Sequence, residues 1–323
     1  MANHANIDVW EFLADKFSAD IPVMLLYVLH NEGSSPGRQG FKMGVAADGE
    51  IRGTIGGGIM EHKFAETAKS FLKDNRDEQK VYRQVHDKDA GHDRSGMICS
   101  GEQTIFLYPI TTKDIPAIHE LIDSAKQFQN GTLELSNTGI RFAGTGPETD
   151  FEFSKSPEGF LLKEKTGFKN SLHIIGGGHC ALALSRLMSE MDFFISVYDE
   201  RAGLNTMAQN VYAHQQTIVE SYSELGSALQ ISSDDYVVIM TFGYRTDDIV
   251  LRELMGMDRK YLGVLGSAKK IEKMLAGYRM EKVSEDLLTK IHAPIGIPIK
   301  SQTTAEIAVS IAAEIIAVKN QQP

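Results

Sequence analysis

The sequence predicts an α/β protein in which an N-terminal α/β domain is followed by a domain built on a doubly wound parallel sheet. Residues 171–280 alternate short apolar runs with amphipathic segments, as strand–helix–strand units do when helices cover both faces of a parallel sheet. Directly after one apolar run, the glycine cluster GGGHCA (176–181) opens a helical segment. With 323 residues, the chain exceeds the usual size of one hydrophobic core, so two domains are expected.

The first half of the chain predicts a helix, a buried strand and a hairpin, in that order. Apolar residues recur at helical spacing over 7–17, IPVMLLYVLH (21–30) is almost continuously apolar, and FKMGVAADGEIRGT (41–54) places a turn between two short strands. A second helical pattern begins at the glycine triplet 56–58, and another strand is expected over 79–86.

The middle of the chain predicts a β-rich segment that belongs to the first domain. A helix is expected over 113–128, followed by short strands and turns over 131–165. The segment TGFKN (166–170) is the predicted boundary, which gives a first domain over residues 1–168 and a second, Rossmann-like domain over 169–323.

The second half alternates strands and helices and closes with a capped helix. The predicted strands are SLHII (171–175), FFISVYDE (193–200), YVVIM (236–240) and YLGVL (261–265), and the predicted helices cover 179–191, 247–257 and 268–280. In the last segment, Thr303 and Glu306 have the spacing of a capping box ahead of an apolar helix.

Composition and charge exclude several classes of partner. The formal net charge is −10, and no basic run is longer than Lys269-Lys270. Nucleic acids and anionic membranes both need a positive footprint, so neither is expected as the main partner.

The two cysteines, Cys99 and Cys180, are too few for a disulfide framework, which indicates a reducing compartment. Because the sequence has no signal-peptide pattern and no membrane-length apolar run, we expect a cytoplasmic protein.

The second glycine triplet has the context of a dinucleotide-binding fingerprint. Gly176, Gly178 and Ala181 fit G-x-G-x-x-G/A between a strand and a helix, where helix-start amides can meet a pyrophosphate. Asp199 ends the next predicted strand, where it can accept a hydrogen bond from a ribose hydroxyl. His179 is placed either to touch a ligand phosphate or to cap the helix. The competing interpretation is a Rossmann-shaped scaffold that binds nothing here.

Another strand end predicts a further anion contact. Gly266 and Ser267 follow the strand over 261–265 and would aim helix-start amides at an anion. A dehydrogenase catalytic set is not evident, and little chain follows the Rossmann segment that could form a substrate domain.

The first glycine triplet, Gly56-Gly57-Gly58, opens a helix without a long apolar strand before it. Three glycines at a helix start can form an amide nest for an anion. Glu61 lies just inside the helix, where it contacts the ligand or acts only as a partner of the helix dipole.

These motifs together resemble the xanthine dehydrogenase accessory family (XdhC/CoxI). The resemblance rests on GSSPGRQGFKMGV (33–45), GTIGGGIME (53–61), CSGE (99–102), IIGGGHCALAL (174–184), YLGVLGSAKK (261–270) and APIGIPIKSQTTAEIAVSIAAEIIA (293–317). It implies a homodimeric chaperone, rather than a turnover enzyme, that binds the molybdenum cofactor (molybdopterin). Such a protein protects the cofactor while a cysteine desulfurase sulfurates it, and then delivers it to the molybdenum hydroxylase apo-enzyme.

The resemblance also implies site residues in the first domain. Arg38 would add a fixed cationic fork for the phosphate. Cys99 either offers a soft thiolate to molybdenum or sulfur or is an incidental loop thiol. Many relatives have paired cysteines near this point, whereas this chain has Cys99-Ser100-Gly101-Glu102. Where relatives often carry histidines after the fourth Rossmann strand, it has Phe242-Gly243-Tyr244-Arg245.

Other functions stay open from the sequence. His86, His92 and Cys99 lack the paired spacing of structural zinc sites, so a solvated loop is favoured over a metal site. The runner-up function is an NAD(P)-dependent oxidoreductase, with NAD(P) or another dinucleotide in the Rossmann cleft. A nucleotide-sensing interaction module is a third interpretation.

Overall fold

The computed structural model describes most of the chain, namely residues 7–74, 76, 78–85, 101–146 and 149–321. The chain divides into two compact units: the N-terminal unit ends at Gly167, and the C-terminal unit begins at Phe168. Among the described helices, none combines the length and the apolar character that crossing a membrane requires.

The N-terminal unit contains a five-stranded antiparallel sheet with β1 at its centre. Its strands are β1 (Val23–Gly33), β2 (Lys42–Ala46), β3 (Ile51–Gly53), β4 (Lys80–Val85) and β5 (Gly101–Pro109), in the spatial order β3-β2-β1-β5-β4. The near-continuous apolar run of β1 reflects burial on both faces. Its odd-numbered residues pack against α1 (Asp8–Ser18) and α3 (Ile115–Lys126), and its even-numbered residues pack against α2 (Gly58–Lys73).

A second, smaller antiparallel sheet completes this unit, as the β-rich pattern after α3 predicts. Its strands are β6 (Gly131–Ser136), β7 (Gly139–Ala143), β8 (Phe151–Ser156) and β9 (Gly159–Thr166), in the order β7-β6-β9-β8. Leu133, Leu135 and Leu162 join the core formed by α1, α3 and one face of β1.

The C-terminal unit is a six-stranded parallel sheet with the strand order of a Rossmann fold. The strands are β10 (Asn170–Ile175), β11 (Phe193–Asp199), β12 (Gln215–Ile218), β13 (Tyr236–Ile239), β14 (Tyr261–Val264) and β15 (Ile291–His292), in the order β12-β11-β10-β13-β14-β15. Since β11 and β13 both pair with β10, the strand order reverses at the carboxyl end of β10, where doubly wound folds bind ligands.

Helices cover both faces of this sheet, which confirms the predicted fold class. They are α4 (His179–Met188), α5 (Asn205–Gln209), α6 (Leu225–Ala228), α7 (Tyr244–Leu254), α8 (Ala268–Met280), α9 (Glu285–Leu288) and α10 (Thr304–Asn320). One core joins α4 and α10 to the sheet, and the other joins α7 and α8 to the opposite face. The predicted capping box is present, because Thr303 accepts from the Glu306 amide and Glu306 accepts from the Thr303 amide.

Candidate functional site

The first glycine turn, Gly56-Gly57-Gly58, has a backbone that only glycine adopts without strain. The φ angles are +125°, +77° and +71°, all in the left-handed region. A Cβ on Gly56 would lie 2.4 Å from the amide nitrogen of Gly37, so the loop before β2 packs directly on this position. Gly57 and Gly58 instead face open space, with no atom within 4 Å of an added Cβ. The turn therefore packs on one side and stays accessible on the other.

Glu61, in the first turn of α2, folds back onto the glycine turn. Its Oε2 accepts hydrogen bonds from the amides of Ile55 and Gly57, each at 3.0 Å, and from the hydroxyl of Thr54. The amides of Ile55 and Gly57 therefore already have an acceptor. An incoming anion could accept hydrogen bonds only from the amides that follow Gly57 in the chain. Its Oε1 has no hydrogen-bond partner within the described residues. Glu61 thus closes the turn and presents one carboxylate oxygen.

The loop that carries Arg38 is held against the first glycine turn through backbone groups. The buried Gln103 side chain donates from Nε2 to the carbonyl of Gly37 at 2.8 Å and to that of Ile55 at 3.4 Å. Arg38 is exposed, and its guanidinium has no ion-pair or hydrogen-bond partner in the described part of the chain. Because Arg38 directly follows Gly37 in the chain, this loop brings a cation close to the first glycine turn.

Three residues that the sequence singles out cannot be placed in this turn. Cys99, His86 and His92 lie outside the described residues, and the role of Cys99 stays a prediction. Gly101, the first described residue after them, pairs with Gly33 at the end of β1.

The second glycine turn is built by close backbone packing at its start and by open space at its end. Gly176 has φ +110°, and a Cβ there would lie 2.4 Å from the carbonyl oxygen of Met240. A Cβ on Gly177 would meet the sulfur of Met207 at 2.4 Å, whereas one on Gly178 would meet nothing within 4 Å. Gly178 is the N-cap of α4 and offers no side-chain acceptor, which leaves the first helix amides uncapped by a side chain.

His179 is the first residue of α4, and its side chain is exposed. The N-cap position belongs to Gly178, and within the described residues no side chain caps this helix start. His179 is therefore positioned beside the uncapped amides rather than acting as their cap.

Asp199, at the end of β11, is fully buried, and its acceptor positions are occupied. Oδ2 accepts from the Gly177 amide at 2.7 Å and from Nη2 of Arg201 at 2.8 Å. Oδ1 accepts from the amide of Arg201 at 2.8 Å and from its Nε at 2.9 Å. Burial alone raises the pKa of Asp199, but the hydrogen bonds from Arg201 and Gly177 outweigh it and hold that pKa below its ordinary value. A ribose hydroxyl could bond to this carboxylate only by displacing one of its donors.

The sequence predicts that Asp199 contacts a ligand at the end of β11. In the structure, the partly exposed side chain at this place is Arg201, and Asp199 is buried. Its guanidinium carbon lies 4.8 Å from the ring centroid of Phe242, whose side chain is 63% exposed. Arg201 follows β11 and Phe242 follows β13, and both strands flank β10. The pair therefore reaches across the carboxyl end of β10, beside the second glycine turn.

Gly266 and Ser267 lie at the same edge of the sheet, but two strands away from the second glycine turn. Ser267 is the N-cap of α8, and its side chain accepts from the Lys270 amide at 3.3 Å. Lys270 pairs with the buried Asp247 and donates to the carbonyl of Leu265 at 3.1 Å. The hydroxyl of Ser267 is thus already used within the helix start, and no hydrogen bond or ion pair joins these residues to the turn after β10 in the described structure.

Comparison with known proteins assigns the chain to a family. Residues 172–315 match the XdhC Rossmann domain, and residues 17–83 match the XdhC and CoxI family. The chain belongs to the XdhC and CoxI family. The first glycine turn lies in the XdhC and CoxI segment, and the second lies in the XdhC Rossmann domain.

Relatives of this XdhC-type chain include two curated bacterial proteins. It is 27% identical over 307 residues to the uncharacterized protein YqeB of Escherichia coli strain K12, a match covering 94% of this chain and 44% of that protein. It is 27% identical over 149 residues to a probable xanthine dehydrogenase subunit from Bacillus subtilis strain 168, covering 46% of this chain and 42% of that protein. The chain thus spans less than half the length of either curated relative.

A solved structure has the same fold. A crystal structure described as a xanthine dehydrogenase from Bacillus halodurans matches with a TM-score of 0.72 and 21% identity, covering 99% of this chain and 97% of that one. At this identity the likeness shows the fold alone.

Sequence reasoning assigned no role to several side chains that build the two turns of this XdhC-type chain. They are Thr54, Gln103, Arg201 and Phe242. Arg201 carried a signal, since a cation two residues after a strand-ending acid can reach back to it.

The half-buried Cys180 packs in the α4 core, and burial raises the pKa of its thiol, as fits a packed residue. No cluster of three or more potential metal ligands occurs in the part of the chain that is described.

Proposed function

We propose that this chain binds the molybdenum cofactor and supports its maturation and insertion into a xanthine dehydrogenase-type molybdenum hydroxylase. The observation that carries the proposal is the presence, in one chain and in this order, of the XdhC and CoxI segment and the XdhC Rossmann domain. The name of the Bacillus subtilis relative supports a client of the xanthine dehydrogenase class. A cysteine desulfurase, the apo-hydroxylase and a second copy of this chain are the proposed partners.

The first glycine turn suits the pterin part of such a cargo. Gly57 and Gly58 leave space that a side chain would fill, so a flat ring can approach the backbone closely. The aminopyrimidine edge of a pterin donates hydrogen bonds, and Oε1 of Glu61 is an acceptor without a partner among the described residues. Glu61 therefore would orient the ring by accepting from that edge, while its Oε2 keeps the turn in shape.

Arg38 and Cys99 complete the proposed roles in this unit. When bound, the cofactor supplies a redox-active metal held by a dithiolene. A cation such as Arg38 favours binding of an anionic group, and a thiolate from Cys99 would suit the soft metal or a sulfur ligand.

The proposal is tested by asking whether the purified full chain retains molybdopterin, measured by fluorescence of the oxidised pterin, and molybdenum, measured by mass spectrometry. We expect retention by the wild type and a loss of at least about tenfold in affinity for Gly57→Ala, because a methyl group would occupy the space above the turn. Gly49→Ala is the matched control: Gly49 and Gly57 have φ of +94° and +77°, and both face open space in the same unit. Wild-type protein free of pterin would contradict the function, and equal retention by both variants would remove this turn from the site.

One observation favours a second candidate function, an NAD(P)-dependent oxidoreductase. The start of α4 after the second glycine turn lacks a side-chain cap, as helix starts that bind dinucleotide phosphates do. Hydride transfer from stoichiometrically bound NAD(P)H to an added acceptor would support this candidate over the first.

A further inference from the structure

We propose that the Rossmann cleft selects ligands that carry a phosphate monoester, and that Arg201 is the residue that contacts it. Two sources have this chemistry: the terminal phosphate of a molybdopterin that binds in this cleft instead of at the first glycine turn, and the 2′-phosphate of an NADP-type nucleotide. The inference deepens the proposed function and rests on it for the first source only.

The hydrogen-bonding capacity of Asp199 is used up within the protein. A carboxylate has about four acceptor positions, and Asp199 uses them for the Gly177 amide and for three donors of Arg201. NAD-type recognition needs an acidic side chain that is free to accept from the ribose 2′-hydroxyl. Asp199 therefore does not select an unphosphorylated ribose here; it positions Arg201.

Arg201 keeps its donors on the opposite edge available. Its Nε and Nη2 face Asp199, whereas Nη1 has no hydrogen-bond partner among the residues described. The Arg201 side chain is 37% exposed while that of Asp199 is 0% exposed, so the pair turns its cationic side outward. The Nη1–Nη2 edge of a guanidinium matches two oxygens of a phosphate, and the match is strongest for a dianionic monoester.

Phe242 fixes the orientation of this edge. The aromatic ring lies against the guanidinium at 4.8 Å and is itself largely exposed, which leaves its other face for a planar ligand ring. Because Arg201 follows β11, it stands where the adenosine ribose lies in doubly wound dinucleotide sites. The uncapped amides of α4 suit a pyrophosphate, which NAD and NADP share, so they do not discriminate between the two.

The test measures binding of NADP⁺ and NAD⁺ to the full chain by calorimetry. We expect the wild type to prefer NADP⁺ by at least about tenfold, and Arg201→Lys to lower that preference below about threefold, because lysine keeps the charge but loses the fork. Arg186→Lys is the matched control, since Arg186 is exposed in the same unit and lies over the Tyr212 ring at 6.0 Å. Equal wild-type affinities or an unchanged preference in Arg201→Lys would overturn the inference, as would no binding of either nucleotide together with molybdopterin retention that does not depend on Arg201.

A second variant and a second ligand pair separate the two sources. Phe242→Ala removes an exposed ring without disturbing the Asp199 hydrogen bonds, and we expect it to weaken NADP⁺ binding by about three- to tenfold. Molybdopterin is then compared with its cytosine dinucleotide form, which lacks a phosphate monoester. Selective NADP⁺ binding without molybdopterin binding would support the inference while the proposed function fails. Molybdopterin retention that does not depend on Arg201 would leave the function standing and sink the inference.

Discussion

The two glycine turns look alike in sequence but present opposite charge to their surroundings. In both, three consecutive glycines lie at a helix start and a carboxylate accepts from a turn amide. At the first turn the carboxylate is Glu61, which comes from the helix that follows and has no cationic partner in the described structure. At the second it is Asp199, which comes from the neighbouring strand and is covered by Arg201. The same motif therefore suits a hydrogen-bond-donating ligand edge in one unit and an anion in the other.

The comparison also separates glycines that pack from glycines that leave space. Gly56 and Gly176 each meet backbone atoms at 2.4 Å from an added Cβ, so each is needed for its turn to form. Gly57 and Gly178 meet nothing within 4 Å, so neither is needed for packing. Each turn thus combines a structural glycine with one that is free for a ligand.

The largest expected effect comes from substituting the two kinds of glycine in the second turn. Gly176→Ala should destabilise the C-terminal unit by about 3 kcal/mol or more, because its Cβ would overlap backbone on the adjacent strand end and its φ is positive. Gly178→Ala, with φ −76° and open space, should leave stability unchanged within about 0.5 kcal/mol. Urea unfolding followed by far-UV circular dichroism measures both.

An internal reference is available for this measurement. Trp10 is the only tryptophan, and it is buried in the N-terminal unit, so its fluorescence reports that unit. Neither variant should move the tryptophan transition. Equal destabilisation by the two substitutions would erase the distinction between packing and open glycines.

The next largest effect tests whether Asp199 serves structure rather than ligand contact. Asp199→Asn should destabilise the C-terminal unit by about 2–3 kcal/mol at pH 7, since it breaks a buried ion pair whose cation partly reaches solvent. The folded-state pKa of Asp199 is lowered, so its stabilising contribution is present above the unfolded-state pKa of about 4 and is lost as pH falls through the lower folded value. The difference in stability between wild type and variant should therefore begin to shrink below about pH 4 and disappear only below the lower folded-state pKa. A constant difference across that window would contradict the assignment.

Burial explains how much of the fold the sequence predicts. The strands β10, β11, β13 and β14 are apolar runs because both faces of the sheet are covered, and all four are predicted. The edge strand β12, QQTI, is mostly exposed and polar, so it lacks that signal. The two-residue strand β15 is too short to form a pattern and is defined only by pairing with β14.

The candidate site was predictable only where it depends on backbone. Glycine clusters at helix starts are visible in the sequence because they reflect conformations that other residues avoid. Contacts that depend on side-chain direction are not visible. Glu61 could equally have pointed to solvent. The spacing of Asp199 and Arg201 indicates that the two can pair, but nothing in the sequence shows that Arg201 would occupy both Asp199 oxygens or rest on Phe242.

The smallest expected effect concerns Glu61. Glu61→Ala should lower the stability of the N-terminal unit by about 1–2 kcal/mol, because the amides of Ile55 and Gly57 lose their acceptor and only Gly57 is partly exposed to water, whereas Ile55 is buried. Glu66→Ala, an exposed change on the same helix, is the control and should cost under about 0.5 kcal/mol. Trp10 fluorescence in urea measures both. If Glu61→Ala were no more costly than Glu66→Ala, Glu61 would not hold the turn. The amides of the first turn would then be without a structural acceptor, like those at the start of α4, and the two turns would no longer differ.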